Sequence, residues 1–280
     1  MKHRNILYQQ SNQVLAYADD ICVIGLSGNG VKEILDPLIE VSAAVGLKIN
    51  ESKTKYLVTG FSQGTESNFS SGHHSFEGVN KFKYLGSLIT HDNNVGDDIK
   101  DRLAAGNRAL YSLRPLLKSK HLTNANKLKL YTVLIKPIVM FGCESWTLTD
   151  EYERWLLTFE RRIMRVIFGP KRDDDGTYRV LYNHEIRNLM KVPDIVRCIK
   201  SQRVRWLGHV LRADSHRNVQ RSLKGEPPYG RRRGRCRRRW LLGVEKDLAA
   251  SNCLTQYELH ALDRHRWGRI VDSVGARNGL

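Results

Sequence analysis

The chain has 280 residues and a formal net charge of +17, with 46 lysines and arginines against 29 acidic residues. Its 41% apolar content is enough for ordinary folded cores, which argues against a wholly disordered chain. Residues 141–280 hold 29 basic and 17 acidic residues and therefore predict a polyanionic partner, most commonly nucleic acid. An anionic membrane surface is the alternative. We expect no membrane association, because no strongly apolar helix face accompanies the basic run and no apolar stretch reaches a spanning length.

The five cysteines also bear on the class of protein. Cys22, Cys143, Cys198, Cys236 and Cys253 are scattered, and no two of them form a Cys-x-x-Cys pair. That spacing suits reduced thiols and predicts no zinc site. The amino terminus carries no pattern typical of a secretory signal. We therefore expect an intracellular protein.

Two adjacent carboxylates in Tyr17-Ala18-Asp19-Asp20 lie between the apolar runs 14–16 and 21–24. Two β-prone runs joined by an acidic turn predict a hairpin with both carboxylates at its tip. Carboxylate oxygens are ligands that Mg²⁺ prefers, so the turn is a candidate metal site for nucleotidyl transfer. A solvated loop tip without metal is the alternative.

A helix is predicted after this hairpin, because apolar residues recur at helical spacing over 31–45 and Gly46 suits its end. Pro37 falls inside the pattern and either kinks the helix or marks a restart with Asp36 as cap. The segments that follow are predicted as a strand pair at 47–50 and 56–59, a loop over 60–80, and a strand or hairpin over 82–90. Together they predict a small antiparallel sheet with one helix on it.

Helices dominate from Asp97 onward. The predicted helices are one from Asp97 that Pro115 closes, one over about 123–135, and one capped by Thr149 or Asp150 and ended by Gly169-Pro170. A polar linker over 171–176 marks a second boundary. Beyond it, helices are predicted at 183–190, 194–211 and 240–249, and from Thr255, whose capping box Glu258 completes.

Several blocks carry a family resemblance. In order, they are Tyr17-Ala18-Asp19-Asp20, Gly46-Leu47-Lys48-Ile49-Asn50, Lys53-Thr54-Lys55 and Phe82-Lys83-Tyr84-Leu85-Gly86-Ser87. They resemble the last palm motifs of the reverse transcriptases of non-LTR (LINE-type) retrotransposons. The block from Phe141 to Thr149 resembles the family's thumb block, with Phe141 where many relatives have Tyr. Arg205–Arg212 and the Gly-Arg-rich run ending at Trp240 are similar to the family's carboxy-terminal segments.

The resemblance implies a fold and a reaction. The sequence predicts an α+β fold with a partial polymerase palm at 1–90, a helical thumb at 91–170 and a basic, mostly helical nucleic-acid-binding region at 171–280. The implied reaction is RNA-directed DNA synthesis with two Mg²⁺ ions. The family's earlier metal Asp, nucleotide-binding segment and fingers precede this block, whereas only sixteen residues without an acidic side chain precede Tyr17 here. We therefore expect the carboxy-terminal portion of the enzyme, incomplete as a catalyst, with the missing amino-terminal part as a partner.

Site residues follow from the same resemblance. It implies that Asp19 binds metal directly, that Asp20 supports it, and that Lys53 lies near the leaving pyrophosphate. Lys55 is close enough to compete for that last role, and a solvated lysine is the alternative. The resemblance further implies that a primer-grip hairpin supports the primer terminus through Phe82, Tyr84, Leu85 and Gly86. A core-facing strand is compatible with that role. His73 and His74 have no partners at metal spacing and predict no site.

The basic residues of the carboxy-terminal region are candidate contacts to RNA and DNA. The densest cluster consists of Arg231, Arg232, Arg233, Arg235, Arg237, Arg238 and Arg239, and a nuclear-import signal is a further interpretation of it. Arg203 and Arg205 lie with Trp206, His209 and Arg212 on a predicted helix that could add base stacking. The pattern favours Trp206 as a core residue and His209 as a packed or capping one.

Two alternatives to a polymerase fragment remain open from the sequence. The first is a non-catalytic nucleic-acid-binding protein left by truncation of a retroelement. The second is a metal-dependent nuclease, which would require additional acids or histidines near the paired carboxylates. The arginine cluster makes a nuclear or nucleocytoplasmic location the expected one.

Overall fold

The computed structural model describes residues 14–60, 67–224 and 240–276. The strands are β1 Val14–Tyr17, β2 Asp20–Val23, β3 Lys55–Tyr56, β4 Phe69–Ser71, β5 His74–Gly78, β6 Lys81–Tyr84, β7 Ser87–Thr90, β8 Lys171–Arg172 and β9 Tyr178–Arg179. The helices are α1 Gly28–Ala44, α2 Val95–Lys118, α3 Asn124–Leu130, α4 Lys136–Met140, α5 Asp150–Phe168, α6 Asn183–Met190, α7 Ile195–Leu211, α8 Asn218–Lys224, α9 Trp240–Ala249, α10 Tyr257–Leu262 and α11 Arg264–Gly275. The α+β class is confirmed. No helix in this described part of the chain is both long and apolar enough to cross a membrane.

The chain divides into two compact units. Among the described residues, the amino-terminal unit comprises 14–60, 67–94 and 213–224, and the helical unit comprises 95–212 and 240–276. The predicted functional boundaries at 90 and 170 stay predictions, because a division by compactness does not test what each part does.

Small sheets and one long helix make up most of the amino-terminal unit. β1 pairs antiparallel with β2, β6 pairs antiparallel with β7, and β5 lies between antiparallel β4 and parallel β3. The Ser27 hydroxyl caps α1 by accepting a hydrogen bond from the Gly30 N–H at 3.2 Å. Helix α1 continues through Pro37 without a restart, and the Asp36 carboxylate accepts a hydrogen bond from the Ser71 hydroxyl instead of capping a helix.

Two local predictions in this unit are wrong. Residues 47–50 form no strand, because Asn50 holds a turn: its side-chain oxygen accepts from the Lys53 N–H at 3.1 Å and from the Ser52 hydroxyl at 2.7 Å. The predicted loop over 60–80 contains the β4–β5 hairpin. There Phe69 and Phe76 are buried with Leu35 of α1, and this burial outweighs the Ser- and Gly-rich composition.

The helical unit has an extensive apolar core. Helix α5 contributes the largest share, with Leu156, Phe159, Ile163, Met164 and Ile167 buried along one face. The Thr149 hydroxyl caps this helix by accepting from the Tyr152 N–H at 3.3 Å, and Gly169 ends it with a φ of 74°. The predicted start and end of α5 are both confirmed.

Other helix boundaries differ from their predictions for identifiable reasons. Helix α2 runs past Pro115 to Lys118, because the fully buried Leu117 compensates for the lost backbone hydrogen bond. The predicted helix at 123–135 is capped by Thr123, but its second half, Tyr131–Ile135, is a π-helical segment that leads into α4. The predicted cap at Thr255 is wrong. Gln256, with a φ of 53°, precedes α10 instead.

Candidate metal site and nucleic-acid surface

The two candidate metal ligands lie on the predicted hairpin. Tyr17 pairs with Asp20, which leaves Ala18 and Asp19 as a two-residue turn between β1 and β2. Ala18 has a φ of 52°, a left-handed conformation that tight hairpin turns require. Asp19 and Asp20 are both exposed to solvent. The hairpin therefore exposes two hard oxygen donors, from consecutive residues, to solvent.

A second tight hairpin carries the predicted primer-grip residues. Tyr84 pairs with Ser87 across a two-residue turn of Leu85 and Gly86, whose φ values of 46° and 88° are both positive. Both central residues of a type I′ turn have positive φ, and this conformation costs free energy at Leu85 because a side chain is present. Phe82 lies opposite Ile89 in the same ladder and is half-buried.

The Tyr84 phenol of the β6–β7 hairpin is influenced by charges on strand β2. Burial raises the pKa of the Tyr84 phenol, and the nearby charges of Cys22 and Asp20 raise it further. Electrostatic influence falls with distance, so this effect indicates that the Tyr84 phenol is within electrostatic range of the Asp20 carboxylate. The role of Tyr84 in a primer grip stays a prediction.

Lys53 and Lys55 have different surroundings. The Lys55 ammonium forms an ion pair with Glu77 and is half-buried. Lys53 is exposed in the turn that Asn50 organises, and its side chain forms no ion pair with another described residue. The Lys53 ammonium is therefore the one of the two that is free to meet an anionic ligand.

The donor set at the hairpin tip fits Mg²⁺ in its chemistry. Magnesium is commonly held by one or two carboxylates together with waters and substrate phosphates, and Asp19 and Asp20 offer two carboxylates open to solvent. Among the residues that the structure describes, no three acidic, histidine or cysteine side chains come together as a metal site. His74, for which no site was predicted, hydrogen-bonds Glu51 at 2.8 Å, and this bond lowers the pKa of the Glu51 carboxyl.

Helix α7 separates its basic residues into an inner and an outer set. Arg203 is only 1% exposed, and its guanidinium forms an ion pair with Asp247 of α9 at 2.8 Å and donates to the Trp240 carbonyl at 3.3 Å. Burial lowers the pKa of Arg203. An arginine enclosed in this way has no surface to offer a phosphate. Arg203 is therefore removed from the predicted nucleic-acid contacts and has a structural role.

The outer face of α7 carries Arg205, Trp206 and His209. Arg205 and His209 are exposed, and Trp206 is 36% exposed, so the prediction of Trp206 as a core residue is wrong. The rings of Trp206 and His209 stack with centroids 5.1 Å apart. A cation beside stacked rings is an arrangement that single-stranded nucleic-acid sites use. We name these three residues the α7 outer face.

The block from Phe141 to Thr149 forms part of the core of the helical unit. The Trp146 indole is 1% exposed and donates to Asp98 of α2 at 2.8 Å, while the Glu144 carbonyl accepts from the Trp240 indole at 2.7 Å. Burial raises the pKa of the Cys143 thiol to about 12. This block therefore connects α2 with α9.

The arginine-rich run lies outside the described residues. The predicted contacts concerned are Arg231, Arg232, Arg233, Arg235, Arg237, Arg238 and Arg239. For these seven residues the assignment to nucleic-acid binding stays a prediction. Within the described part of the chain, the α7 outer face is the predicted surface that remains accessible.

Comparison with known proteins gives one informative relative. No protein-family model matches the chain, and no solved structure matches it. An uncharacterized transposon-derived protein of Caenorhabditis elegans is 27% identical over 269 residues, which cover 92% of this chain and 94% of that protein. This similarity over nearly the full length of both chains supports a transposon origin for the chain.

Proposed function

We propose that the chain derives from the carboxy-terminal part of the reverse transcriptase of a non-LTR retrotransposon, an RNA-directed DNA polymerase. The observation that carries this proposal is the pair of tight hairpins in one compact unit, one with Asp19 and Asp20 and the other with Tyr84, whose phenol is influenced by the Asp20 charge. Polymerisation needs metal-binding carboxylates next to a support for the primer end. The transposon-derived relative agrees with such an origin.

Each of the site residues would have a separate role in this reaction. Asp19 would bind Mg²⁺ directly and Asp20 would support it; when bound, Mg²⁺ neutralises phosphate charge and activates the attacking hydroxyl. The backbone of the β6–β7 turn would position the primer terminus next to these carboxylates. The Lys53 ammonium would neutralise the departing pyrophosphate. Ligands from separate segments act as one unit, so the hairpin is expected to work only together with the amino-terminal part of a polymerase.

A fusion tests this proposal. The chain is joined to the fingers and earlier palm strands of a related full-length element, and primer extension on an RNA template is measured with Mg²⁺. We expect extension that Asp19→Asn abolishes and Asp20→Asn strongly reduces, while Asp174→Asn, at an exposed position outside the hairpins, leaves it unchanged. A folded, nucleic-acid-binding fusion that stays inactive while the intact element works would contradict the proposal.

The α7 outer face favours a second candidate function, which is non-catalytic binding of single-stranded nucleic acid. Arg205 would contact phosphate and the Trp206–His209 pair would stack on a base. The predicted arginine run at 231–239 would add sequence-independent contacts, and would also suit nuclear import. If about six phosphates are neutralised in all, log K should fall with log[salt] at a slope of about −4 to −5.

Two sets of variants test this second candidate. Trp206→Leu should weaken binding of an oligothymidylate by about five-fold to a hundred-fold, the range that loss of one base stack gives. Tyr178→Leu, which changes another exposed aromatic residue of the helical unit, is the matched control and should have little effect. Replacing all seven arginines of the run with Gln should flatten the salt slope. An unchanged salt slope would exclude the arginine run as a phosphate contact. Equal effects of Trp206→Leu and Tyr178→Leu would exclude the α7 outer face as a stacking surface.

A further inference from the structure

A small cleft in the helical unit is lined by three arginines that no sequence motif singles out. It lies between α5, α6 and the start of α7, with Arg161, Arg187 and Arg197 at its walls and a volume of about 70 Å³. A cleft of this volume holds a few waters, and therefore has room for one tetrahedral oxyanion.

The cleft combines available cations with a structured wall. Arg161 is half-buried and Arg187 is exposed, and neither forms an ion pair with another described residue. The Asn183 side-chain oxygen accepts from Arg165 at 2.8 Å, so the amide nitrogen of Asn183 is left as a donor. Ile186 and Met190 supply an apolar base. Two guanidiniums and an amide donor around an apolar base form an arrangement that favours an anion.

Two carboxylates, Glu160 and Asp194, also line the cleft, and both already have partners. Glu160 accepts from the Tyr131 hydroxyl at 2.7 Å and from the Ile195 N–H at 2.9 Å, and lies 4.0 Å from the Lys136 ammonium. Asp194 caps α7 through the Arg197 N–H at 2.9 Å and faces the Arg197 guanidinium at 3.7 Å. These pairings leave Arg161 and Arg187 as the uncompensated charges of the cleft.

We propose that this cleft binds one phosphate group through Arg161, Arg187 and the Asn183 amide. The phosphate of a polynucleotide and a free phosphate share this chemistry. That the phosphate belongs to a polynucleotide rests on the nucleic-acid binding proposed above. In that case the cleft holds one phosphate of the strand in a defined position. Planar guanidiniums recognise phosphate oxygens in pairs, which fixes the orientation of that phosphate as well as its charge.

A charge-matched pair of double variants tests the polynucleotide source. Arg161→Gln with Arg187→Gln removes two charges from the cleft, and Arg114→Gln with Arg154→Gln removes two exposed charges elsewhere in the helical unit. Binding of a fluorescein-labelled 20-mer of thymidylate is followed by anisotropy in the full chain. We expect the cleft variant to bind about ten-fold more weakly than the control variant, with a salt slope smaller in magnitude by about 0.7, the value for one phosphate on a single strand.

A second experiment measures binding of inorganic phosphate to the cleft. Phenylglyoxal modification of the full chain is mapped by peptide mass spectrometry, and millimolar phosphate should protect Arg161 and Arg187 several-fold more than Arg114 and Arg154. If phosphate protects Arg161 and Arg187 while the two double variants bind the oligonucleotide equally well, the cleft binds free phosphate rather than a polynucleotide. Absence of both protection and a binding difference overturns the proposal. Failure of the wild-type chain to bind the 20-mer, with protection intact, contradicts nucleic-acid binding and leaves the cleft supported.

Discussion

The helical unit and the amino-terminal unit differ in how much apolar surface each buries within itself. The helical unit has a continuous core that joins α2, α5, α7 and the Trp146 block, whereas the described core of the amino-terminal unit consists of Leu35, Phe69 and Phe76 with a few half-buried neighbours. Apolar residues of the β1–β2 hairpin, such as Leu15 and Ile21, are exposed. The segments that resemble catalytic motifs therefore lie in the unit with the weaker internal support.

This contrast predicts a difference in local stability. Segments with few buried contacts open at low free-energy cost, while a well-packed core opens only with global unfolding. The two units each contain a cysteine that can report on this. Cys22 of β2 is half-buried, and Cys143 of the helical unit is 1% exposed.

The largest effect is expected in thiol labelling. At pH 8 a thiol with a pKa of about 12 is a thiolate in only about one molecule in 10⁴, and burial also shields the Cys143 sulfur from reagent. Cys22 should react with iodoacetamide in native buffer, and Cys143 should react only in denaturant. Mass spectrometry of the labelled peptides measures both rates. Equal native rates at the two cysteines would contradict the contrast between the units.

A smaller but still large effect is expected from the buried ion pair of the helical unit. Asp247→Leu leaves the Arg203 guanidinium buried without its partner, which should lower the free energy of unfolding by about 3–5 kcal/mol. Arg205→Ala on the outer face of the same helix should change it by less than about 0.5 kcal/mol. Urea denaturation of the two variants provides the comparison. A similar loss of unfolding free energy in Asp247→Leu and Arg205→Ala would mean that Arg203 is not enclosed.

Two glycines of the helical unit should respond with opposite signs. A Cβ atom on Gly208 of α7 would overlap the Trp267 indole, so Gly208→Ala should destabilise by about 1–3 kcal/mol. A Cβ atom on Gly268 of α11 meets nothing within 4 Å, so Gly268→Ala should stabilise by about 0.5–1 kcal/mol. The same denaturation assay checks both values. A neutral Gly208→Ala would show that α7 and α11 pack less closely than described.

Helices and hairpins whose ends depend on residues adjacent in the sequence could be predicted from the sequence. The Thr149 cap, the Gly169 stop and the β1–β2 hairpin each follow from a few adjacent side chains. The Asn50 turn was missed because side-chain hydrogen bonds to the backbone compete with β-propensity and leave no periodic pattern. The β4–β5 hairpin was missed because its stabilising contacts come from Leu35 of α1.

Residues of the candidate sites also differ in whether the sequence predicts their surroundings. Asp19, Asp20 and Tyr84 belong to short blocks, so their positions on hairpins follow from sequence. Whether Arg203 or Trp206 faces the interior depends on Asp247 of α9 and on packing from distant parts of the chain, which spacing along one helix does not reveal. The arginines of the cleft come from three separate helices and share no motif.

The proposed function requires the β1–β2 and β6–β7 hairpins to hold the end of a primer together. A primer–template duplex with 4-thiothymidine at the primer 3′ end tests this requirement, by photocrosslinking to the fusion described above followed by peptide mapping. We expect crosslinks at residues 17–21 and 82–86, and their loss when the thiobase is moved to the primer 5′ end. Crosslinks confined to the helical unit, with the thiobase at either end, would contradict it.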